Sequence, residues 1–414
     1  MSKWYKEKIG CLAETYAGGT PSRSNPEYFM GNIPWISSGE LNQPRILQTN
    51  ESITEEALNN SSAKWIPKNS VLIAMYGATA GQVSTNLIDA TSNQAVLALI
   101  PDDELIDGEF LFYSLLNSKN DILFLTQGTG QPNLSKGLID NFSINVPKCK
   151  FEQRRIAQIL STCDAVIEKT QSAIAKYKVI KQGMLHDLFT RGIDIKTGKL
   201  RPHYQDAPEL YKESKLGWIP KEWEVESISS IGEIITGATP PTARSEYYGN
   251  EFLFVSPADI QDNIYINQTG KKLTQSGFDV CRKLPKNTIC VVCIGSTIGK
   301  MALLNKEGCT NQQINSVVCF DSDLSTFFFY AMLFYNEQQF RREIGLQAVP
   351  IVNKSHFSEF LVPIAQKAEA LKIAERLRLL DNKIHSEQSY LEKMQQIKKG
   401  LMEDLLSGKR RVEV

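Results

Sequence analysis

One heptad-like pattern of apolar residues occurs twice in this chain, and the two copies lie 217 residues apart. In the first copy, residues 151–189, the pattern positions alternate in spacing between four and three residues, which is typical of the seam of a coiled coil. The main apolar seam positions are Ile156, Leu160, Ile167 and Ile174 in the first copy and Ile373, Leu377, Ile384 and Leu391 in the second. Because no proline interrupts either stretch, each is predicted to form one long helix.

The two copies also share their polar interruptions. Thr170 in the first seam corresponds to Glu387 in the second, and Lys181 corresponds to Lys398. A generic helix pattern has no reason to repeat its own defects, so the chain is predicted to be an internal duplication in which each half ends in a long helix. In an antiparallel pair of such helices, the two lysines would either fix the register or face the helices of a partner.

The segments that precede the two helices repeat in the same order. Each half has a turn rich in glycine and proline, a buried strand followed by a G-x-T-x-G turn, an Asn-Gln pair and a polar loop. These segments are residues 18–22, 71–81, 93–94 and 126–134 in the first half and residues 237–241, 289–299, 311–312 and 345–354 in the second. The predicted fold class is therefore α+β, with two globular α/β domains separated by two long antiparallel coiled-coil helices in a pseudo-twofold arrangement.

Breaks in the periodicity set the predicted domain boundaries. Residues 192–217 contain several glycines and prolines and carry no periodicity, which predicts a linker between the halves. The predicted segments are 1–148 and 218–364 for the globular domains, 149–191 for the central helix, 192–217 for the linker and 365–414 for the C-terminal helix.

The charge distribution bears on the class of partner. The formal net charge is zero, which is unusual for a DNA-binding protein that acts alone. Residues 1–147 hold 9 Lys and Arg against 15 Asp and Glu, whereas residues 150–217 hold 13 against 8. Nucleic-acid contact would therefore come from a local face or be shared with a partner. With no long apolar run and no apolar leader, a cytoplasmic protein is expected.

Metal and nucleotide sites are weakly indicated by this sequence. Cys290, Cys293 and Cys309 have a spacing that suggests zinc, but two of the three matching positions in the first half are apolar, so buried core side chains are favoured. Residues 295–300 resemble a phosphate-binding loop, yet the spacing is one residue short, and Met301 stands where a Ser or Thr should bind magnesium. A tight turn between strands is favoured. No metal, no cofactor and no catalytic residue is predicted.

The order of these motifs resembles the specificity subunit of type I restriction-modification systems. The resemblance covers essentially the whole chain and includes the opening of the second half, residues 216–223 (LGWIPKEW). It implies that each globular domain is a target recognition domain that reads one half of a bipartite site in double-stranded DNA. It also implies that the helices hold the two domains apart and bind two methyltransferase (modification) subunits, which a restriction and translocation subunit joins. The methyl donor and the nuclease chemistry would belong to those partners.

Helix length agrees with this expectation, because about 38 residues at ~1.5 Å each span ~57 Å, more than one ~34–36 Å turn of duplex. The candidate base-reading residues are polar side chains on predicted loops, since Arg can bond guanine and Asn or Gln can bond adenine. They are Arg23, Ser37, Thr79, Gln131 and Asn133 in the first half and Arg244, Ser256, Thr297, Gln347 and Lys354 in the second. Two other interpretations stay open: a duplicated coiled-coil scaffold whose globular domains bind protein, and a self-sufficient methyltransferase or nuclease, which the missing motifs disfavour.

Overall fold

The computed structural model describes residues 3–125, 133–261, 263–344 and 350–412. The chain forms two compact units: unit 1 comprises residues 1–170 and 390–414, and unit 2 comprises residues 171–389. Each unit therefore contains one globular part and a segment of each long helix. Among the described residues, no helix is long and apolar enough to cross a membrane.

Unit 1 opens with a globular part, residues 4–147, which we call head 1. The elements of head 1 and the helix that follows it are β1 Trp4–Lys8, α1 Ile9–Leu12, β2 Ala13–Ala17, β3 Ile33–Ile36, β4 Arg45–Ile46, β5 Glu51–Ile53, α2 Glu55–Asn59, β6 Val71–Ala74, β7 Val83–Asn86, β8 Thr91–Ser92, β9 Val96–Pro101, α3 Gly108–Asn117, α4 Lys119–Phe124, α5 Lys136–Asn141, β10 Ser143–Pro147 and α6 Lys150–Thr190.

The centre of head 1 is a five-stranded sheet in the order β2-β9-β6-β7-β4. Strand β6 is apolar and buried along its whole length, because both faces of the sheet are covered. One hydrophobic core joins this sheet to α3 and α6, and Phe110, Tyr113 and Ile156 are fully buried in it. A second sheet, β5-β3-β8, carries Trp35, whose indole N–H donates to the Gly19 carbonyl oxygen at 3.0 Å.

Unit 2 contains the linker and a second globular part, residues 224–364, which we call head 2. The remaining elements of the chain are β11 Tyr211–Ser214, β12 Gly217–Pro220, β13 Glu224–Ser227, α7 Ile228–Ile231, β14 Gly232–Thr236, β15 Tyr248–Gly249, β16 Phe252–Val255, β17 Tyr265–Ile266, β18 Lys271–Leu273, α8 Gln275–Asp279, β19 Ile289–Val292, β20 Met301–Leu304, β21 Gly308–Thr310, β22 Ile314–Cys319, α9 Ser325–Ile344, α10 Lys354–Ser358, β23 Leu361–Ile364 and α11 Lys367–Leu406.

Head 2 repeats the sheet of head 1. Its five strands run in the order β14-β22-β19-β20-β17. Val71 pairs with Leu99 in head 1. Ile289 pairs with Val317 in head 2, which is the same register. The internal duplication and the α+β class predicted from the sequence are therefore confirmed.

Within each unit the two long helices run antiparallel. In unit 2, Lys181 of α6 bonds Asp381 of α11, while Ile193, just beyond α6, bonds Glu369. In unit 1, Asp164 of α6 bonds Lys398 of α11. Of the seam residues, those that are buried are Ile156, Leu160, Ile174, Ile373, Leu377 and Ile384, and those that are half-buried are Ile167 and Leu391. The seam predicted from the heptad spacing thus faces the protein interior.

The linker contains structure that periodicity did not predict. Strands β11 and β12 form an antiparallel hairpin. Further upstream, the Arg201 guanidinium bonds the buried carboxylate of Glu369 at 2.6 Å. The backbone N–H of Ile193 donates to the same carboxylate at 2.7 Å. These contacts join residues far apart in the chain, so they leave no local pattern in the sequence.

The cysteines that suggested zinc are core side chains on different faces of the sheet. Cys290 belongs to the core on one face of β19, and Cys293 belongs to the core on the other face. Burial raises the pKa of the Cys290 and Cys293 thiols to about 12. Across the described ranges, no group of three or more His, Cys, Asp or Glu side chains is arranged to hold a metal ion.

Alkylation of the native protein with iodoacetamide at pH 8 is expected to label Cys11 and to leave Cys290 and Cys293 unlabelled. Cys11 is exposed, whereas the two buried thiols are inaccessible and stay protonated. Above about pH 9 the thiols of Cys290 and Cys293 ionise in the unfolded chain but keep their protons in the folded one. The free energy of unfolding should therefore decrease as the pH rises from about 9 towards 12. Peptide mass spectrometry checks the first expectation, and equal labelling of all three thiols in the native protein would contradict it.

Candidate DNA interface

Many of the segments predicted to read DNA lie together at one end of the strands of each five-stranded sheet. In head 1 the end of β6 lies opposite the start of β9, since Ala74 pairs with Val96. The end of β2 lies beside the same point, where Ala17 pairs with Leu97. Neighbouring antiparallel strands run in opposite directions, so the end of one strand lies beside the start of the next. The loops at these three positions therefore all leave the sheet at the same end of the strands. We call this surface the loop edge; it comprises residues 18–20, 37, 77–81, 93–94 and 133 in head 1 and residues 237–239, 256, 295–300, 311–313 and 350–352 in head 2.

The G-x-T-x-G turns form the centre of each loop edge. Gly77 and Gly81 have φ values of +82° and +77°, and Gly295 and Gly299 have +101° and +87°, which explains why both ends of each turn are glycine. The half-buried Thr79 and Thr297 lie inside these turns. Each turn borders the polar loop that follows it in its head: Tyr76 bridges Asn133, and Ile294 bridges Ile351.

A threonine–glutamine bond flanks the central turn in both heads. The Thr239 hydroxyl donates to the Gln312 side-chain oxygen at 2.6 Å, and Thr20 makes the same bond to Gln94. Both glutamines are exposed. The backbones approach so closely that a Cβ at Gly237 would lie 2.1 Å from the Asn311 carbonyl oxygen, which requires glycine there. The result is a carboxamide held in a fixed position, a group that can bond adenine.

Ser37 and Ser256 hold the backbone within the loop edge. The Ser37 hydroxyl and backbone N–H both donate to the Glu40 carboxylate, at 2.9 and 2.8 Å. Ser256 makes the same two bonds to Asp259, at 2.6 and 2.8 Å. Each serine therefore caps a short 3-10 turn, and its hydroxyl proton is already engaged.

The two candidate arginines differ in how strongly they are held. Arg23 makes a bidentate bond to Glu51, at 2.6 and 2.8 Å, and lies 4.0 Å from the centre of the Phe29 ring. The hydrogen bond from Arg23 lowers the pKa of Glu51, so the pair is ionised at neutral pH. Among the described residues, the Arg244 side chain bonds the Tyr247 hydroxyl alone, at 2.8 Å, and it is exposed. Glu51 engages one N–H on each terminal nitrogen of Arg23, so an end-on bidentate contact of Arg23 with a base through that pair would require the ion pair to open, whereas the described residues place no carboxylate on Arg244.

The remaining candidates are exposed or lie outside the described residues. Asn133 and Lys354 are exposed, and Lys354 opens helix α10. Gln131 and Gln347 lie outside the described residues. Lys300, which follows the central turn of head 2, is exposed, while head 1 has Gln82 at the matching position. The loop edge of head 2 is therefore the more basic of the two.

The segment that resembles a phosphate-binding loop is a tight turn between β19 and β20, as predicted. Several of its backbone N–H groups, among them those of both glycines, donate to carbonyl oxygens within the protein. Gly295 donates to Pro350 at 3.0 Å, Gly299 donates to Val292 at 2.9 Å and Lys300 donates to Thr297 at 3.1 Å. These donors are engaged by carbonyl oxygens, so they do not form the cradle of free N–H groups that phosphate needs.

Sequence reasoning missed Thr20, Gln94, Thr239, Gln312 and Lys300 as site residues. The first four do recur between the halves in the sequence, but their recurrence does not show that they meet. Only the close approach of the two loops, set by the pairing of β2 with β9 and of β14 with β22, joins each threonine to its glutamine.

Comparison with known proteins decides the family. The model of the type I restriction modification DNA specificity domain matches the chain twice, at residues 1–176 and 220–396. The chain belongs to this family of DNA specificity domains. Each of the two matches contains one head and its loop edge.

Curated relatives of the family extend along the whole chain. The type I restriction enzyme MjaVIII specificity subunit of Methanocaldococcus jannaschii is 23% identical, over 99% of this chain and 93% of its own length. The HindI specificity subunit of Haemophilus influenzae is 21% identical, over 99% of this chain and 100% of its own length.

A solved structure shows the same fold. The S subunit of a type I restriction-modification system from M. genitalium matches with a TM-score of 0.66 at 17% identity, and the match covers 98% of this chain and 96% of that one. This chain therefore shares its fold with that S subunit along nearly its whole length.

Proposed function

We propose that this chain is the sequence-specific DNA-binding subunit of a type I restriction-modification complex. Each head reads one half of a bipartite site, and α6 and α11 set the gap between the halves. The helices also dock two methyltransferase subunits, which a restriction and translocation subunit joins. The chain itself is non-catalytic and acts in the cytoplasm. Its functional segments have the boundaries predicted from the sequence, which are 1–148, 149–191, 192–217, 218–364 and 365–414.

The observation that carries this proposal is the duplication of the loop edge within a family of DNA specificity domains. The same turn and the same Thr–Gln bond occur once in each head, and the family match also occurs once per head. The charged side chains around this frame differ, as Lys300 against Gln82 illustrates. A protein that reads two different half-sites needs one frame twice, with different side chains on it.

Footprinting with the methyltransferase partner tests the proposal. The complex is expected to protect two short DNA blocks separated by an unprotected gap, and the binding should weaken as salt rises because phosphate contacts release counterions. Protection of one contiguous block would exclude two separate readers. If no DNA is protected and no salt-dependent DNA binding is measured with the partner present, the protein-binding scaffold is favoured. Methyl transfer or cleavage by the purified chain alone would show that it is an enzyme.

Variants of the two glutamines test the assignment of one half-site to each head. Gln312→Ala is expected to weaken recognition of one half-site by about 10- to 100-fold, the value of one bidentate base contact. Gln94→Ala should weaken the other half-site to a similar extent, so each variant is the control for the other. Binding to a library in which both half-sites are randomised measures both effects. Equal relaxation of both half-sites by either variant would contradict the assignment.

A further inference from the structure

Three elements meet at a single carboxylate in unit 1. The Tyr113 hydroxyl, on α3 of head 1, donates to one oxygen of Asp164 on α6 at 2.6 Å. Lys398 of α11 bonds the other oxygen of Asp164 at 2.5 Å. The Lys398 ammonium also lies 5.6 Å from the centre of the Tyr113 ring. The head and both helices are thus tied together at one point.

The same triad occurs in unit 2. The Tyr330 hydroxyl, on α9 of head 2, donates to Asp381 of α11 at 2.6 Å. Lys181 of α6 bonds the other oxygen of Asp381 at 2.7 Å and lies 5.7 Å from the centre of the Tyr330 ring. The two helices have exchanged roles: α6 supplies the aspartate in unit 1 and the lysine in unit 2.

Burial makes these triads strict in their geometry. Tyr113 and Tyr330 are fully buried. The exposed fractions of the Lys181 and Asp381 side chains are only 17% and 10%, whereas those of Lys398 and Asp164 are 18% and 39%, so the unit 2 triad is the more enclosed of the two. Burial, together with the nearby aspartate, raises the pKa of both tyrosine hydroxyls, so they remain donors at physiological pH. A buried charge that loses its partner destabilises the protein. Displacement of either helix would break the bond between the lysine and the aspartate, so the bond opposes that displacement.

The apolar seam does not fix the register of the helix pair by itself. Apolar positions recur every seven residues, so a shift of one helix by a heptad returns apolar residues to apolar positions. Lys181 and Lys398 are two of the polar interruptions of that seam. Lys181 pairs with Asp381, and Lys398 pairs with Asp164. A polar pair at a unique position removes the ambiguity that the apolar residues leave.

We propose that the two Tyr–Asp–Lys triads are the register keys of the helix pair, and that they determine how strictly the chain selects the gap between its half-sites. The inference rests on the proposed function, because it assigns the gap selectivity of the DNA reader to six named side chains: Tyr113, Asp164, Lys398, Tyr330, Asp381 and Lys181. The tyrosines are positioning residues that couple each head to the register, and none of the six needs to touch DNA.

A panel of duplexes with the two half-sites and gaps varied one base pair at a time tests this proposal, with the chain assembled with its methyltransferase partner. In the double variant Lys181→Met and Lys398→Met, the preference for the best gap over its neighbours should fall by about 100-fold, because two charge-assisted bonds are lost and each represents a factor of about ten. The half-site sequences should stay the same. Lys399→Met is the matched control, because Lys399 is an exposed neighbour on α11.

A charge exchange separates register from stability. Asp164→Lys alone places two lysines together and should abolish gap preference, whereas Asp164→Lys combined with Lys398→Asp should restore it. An equal loss of binding at every gap, with the preference unchanged, would overturn the proposal, as would a folded charge-exchange variant that stays unselective. If the wild-type complex protects no bipartite site, the proposed function itself fails; if it does and the variants keep its gap preference, only the register keys fail.

Discussion

Replacement of Glu369 by alanine is expected to destabilise unit 2 by about 3–5 kcal/mol, the cost of breaking a buried ion pair by removing one partner. The Glu369 carboxylate is 1% exposed and accepts bonds from Arg201 at 2.6 and 3.1 Å and from the Ile193 N–H at 2.7 Å. Without it, the buried Ile193 amide would lose its acceptor, and the buried Arg201 guanidinium would lose its buried carboxylate while keeping the exposed carboxylate of Glu222. Chemical denaturation followed by fluorescence measures the loss in a background where Trp223 is the one tryptophan kept of the five in the chain, because Trp223 is buried in the same unit.

Glu222→Ala is the matched control for that experiment. Glu222 bonds the same arginine at 2.7 Å, but its side chain is 61% exposed, so its removal is expected to cost less than about 1 kcal/mol. Hydrogen exchange adds a local measurement: the Ile193 amide should exchange faster in the Glu369 variant and remain protected in the control. Similar stability of the two variants would mean that the buried pair does not anchor the linker.

Insertion of one helical turn into both long helices is expected to lengthen the recognised gap without changing either half-site. Four residues added after Thr170 in α6 and four after Ser389 in α11 fall at the boundaries between the two units, so the contacts within each unit are kept. Four helical residues span ~6 Å, which corresponds to about two base pairs of duplex. Selection from a library with randomised gap and half-sites measures the change.

The control for this insertion is a loop of the same length placed where it should not affect the gap. Four flexible residues after Lys215 lie in the exposed turn between β11 and β12, outside both long helices. This variant should keep the original gap. A change in the half-site sequences, or an unchanged gap in the double-helix insertion, would show that the helices do not act as a ruler.

The candidate site was predictable only in part. Thr79 and Thr297 were proposed as site residues from the sequence, and the glycine turns around them formed as the repeated glycines predict, because local turn chemistry leaves such a pattern. Ser37 and Ser256 were proposed as polar loop residues, but their bonds to Glu40 and Asp259 show a capping role that loop composition did not predict. The Thr–Gln bonds were missed because their partners are brought together by strand pairing.

The duplication, the long helices and the class of protein could be predicted from the sequence, because these depend on patterns repeated along the chain. Periodicity predicts which face of a helix is buried, and an offset of 217 residues predicts that the second half copies the first. Which charges meet became visible only in the packed structure. Lys181 appeared as a defect in an apolar seam, and only the antiparallel packing in unit 2 placed it against Asp381 and Tyr330. The physical reason is that a buried charge is stabilised by partners distant in the chain, and no local pattern records them.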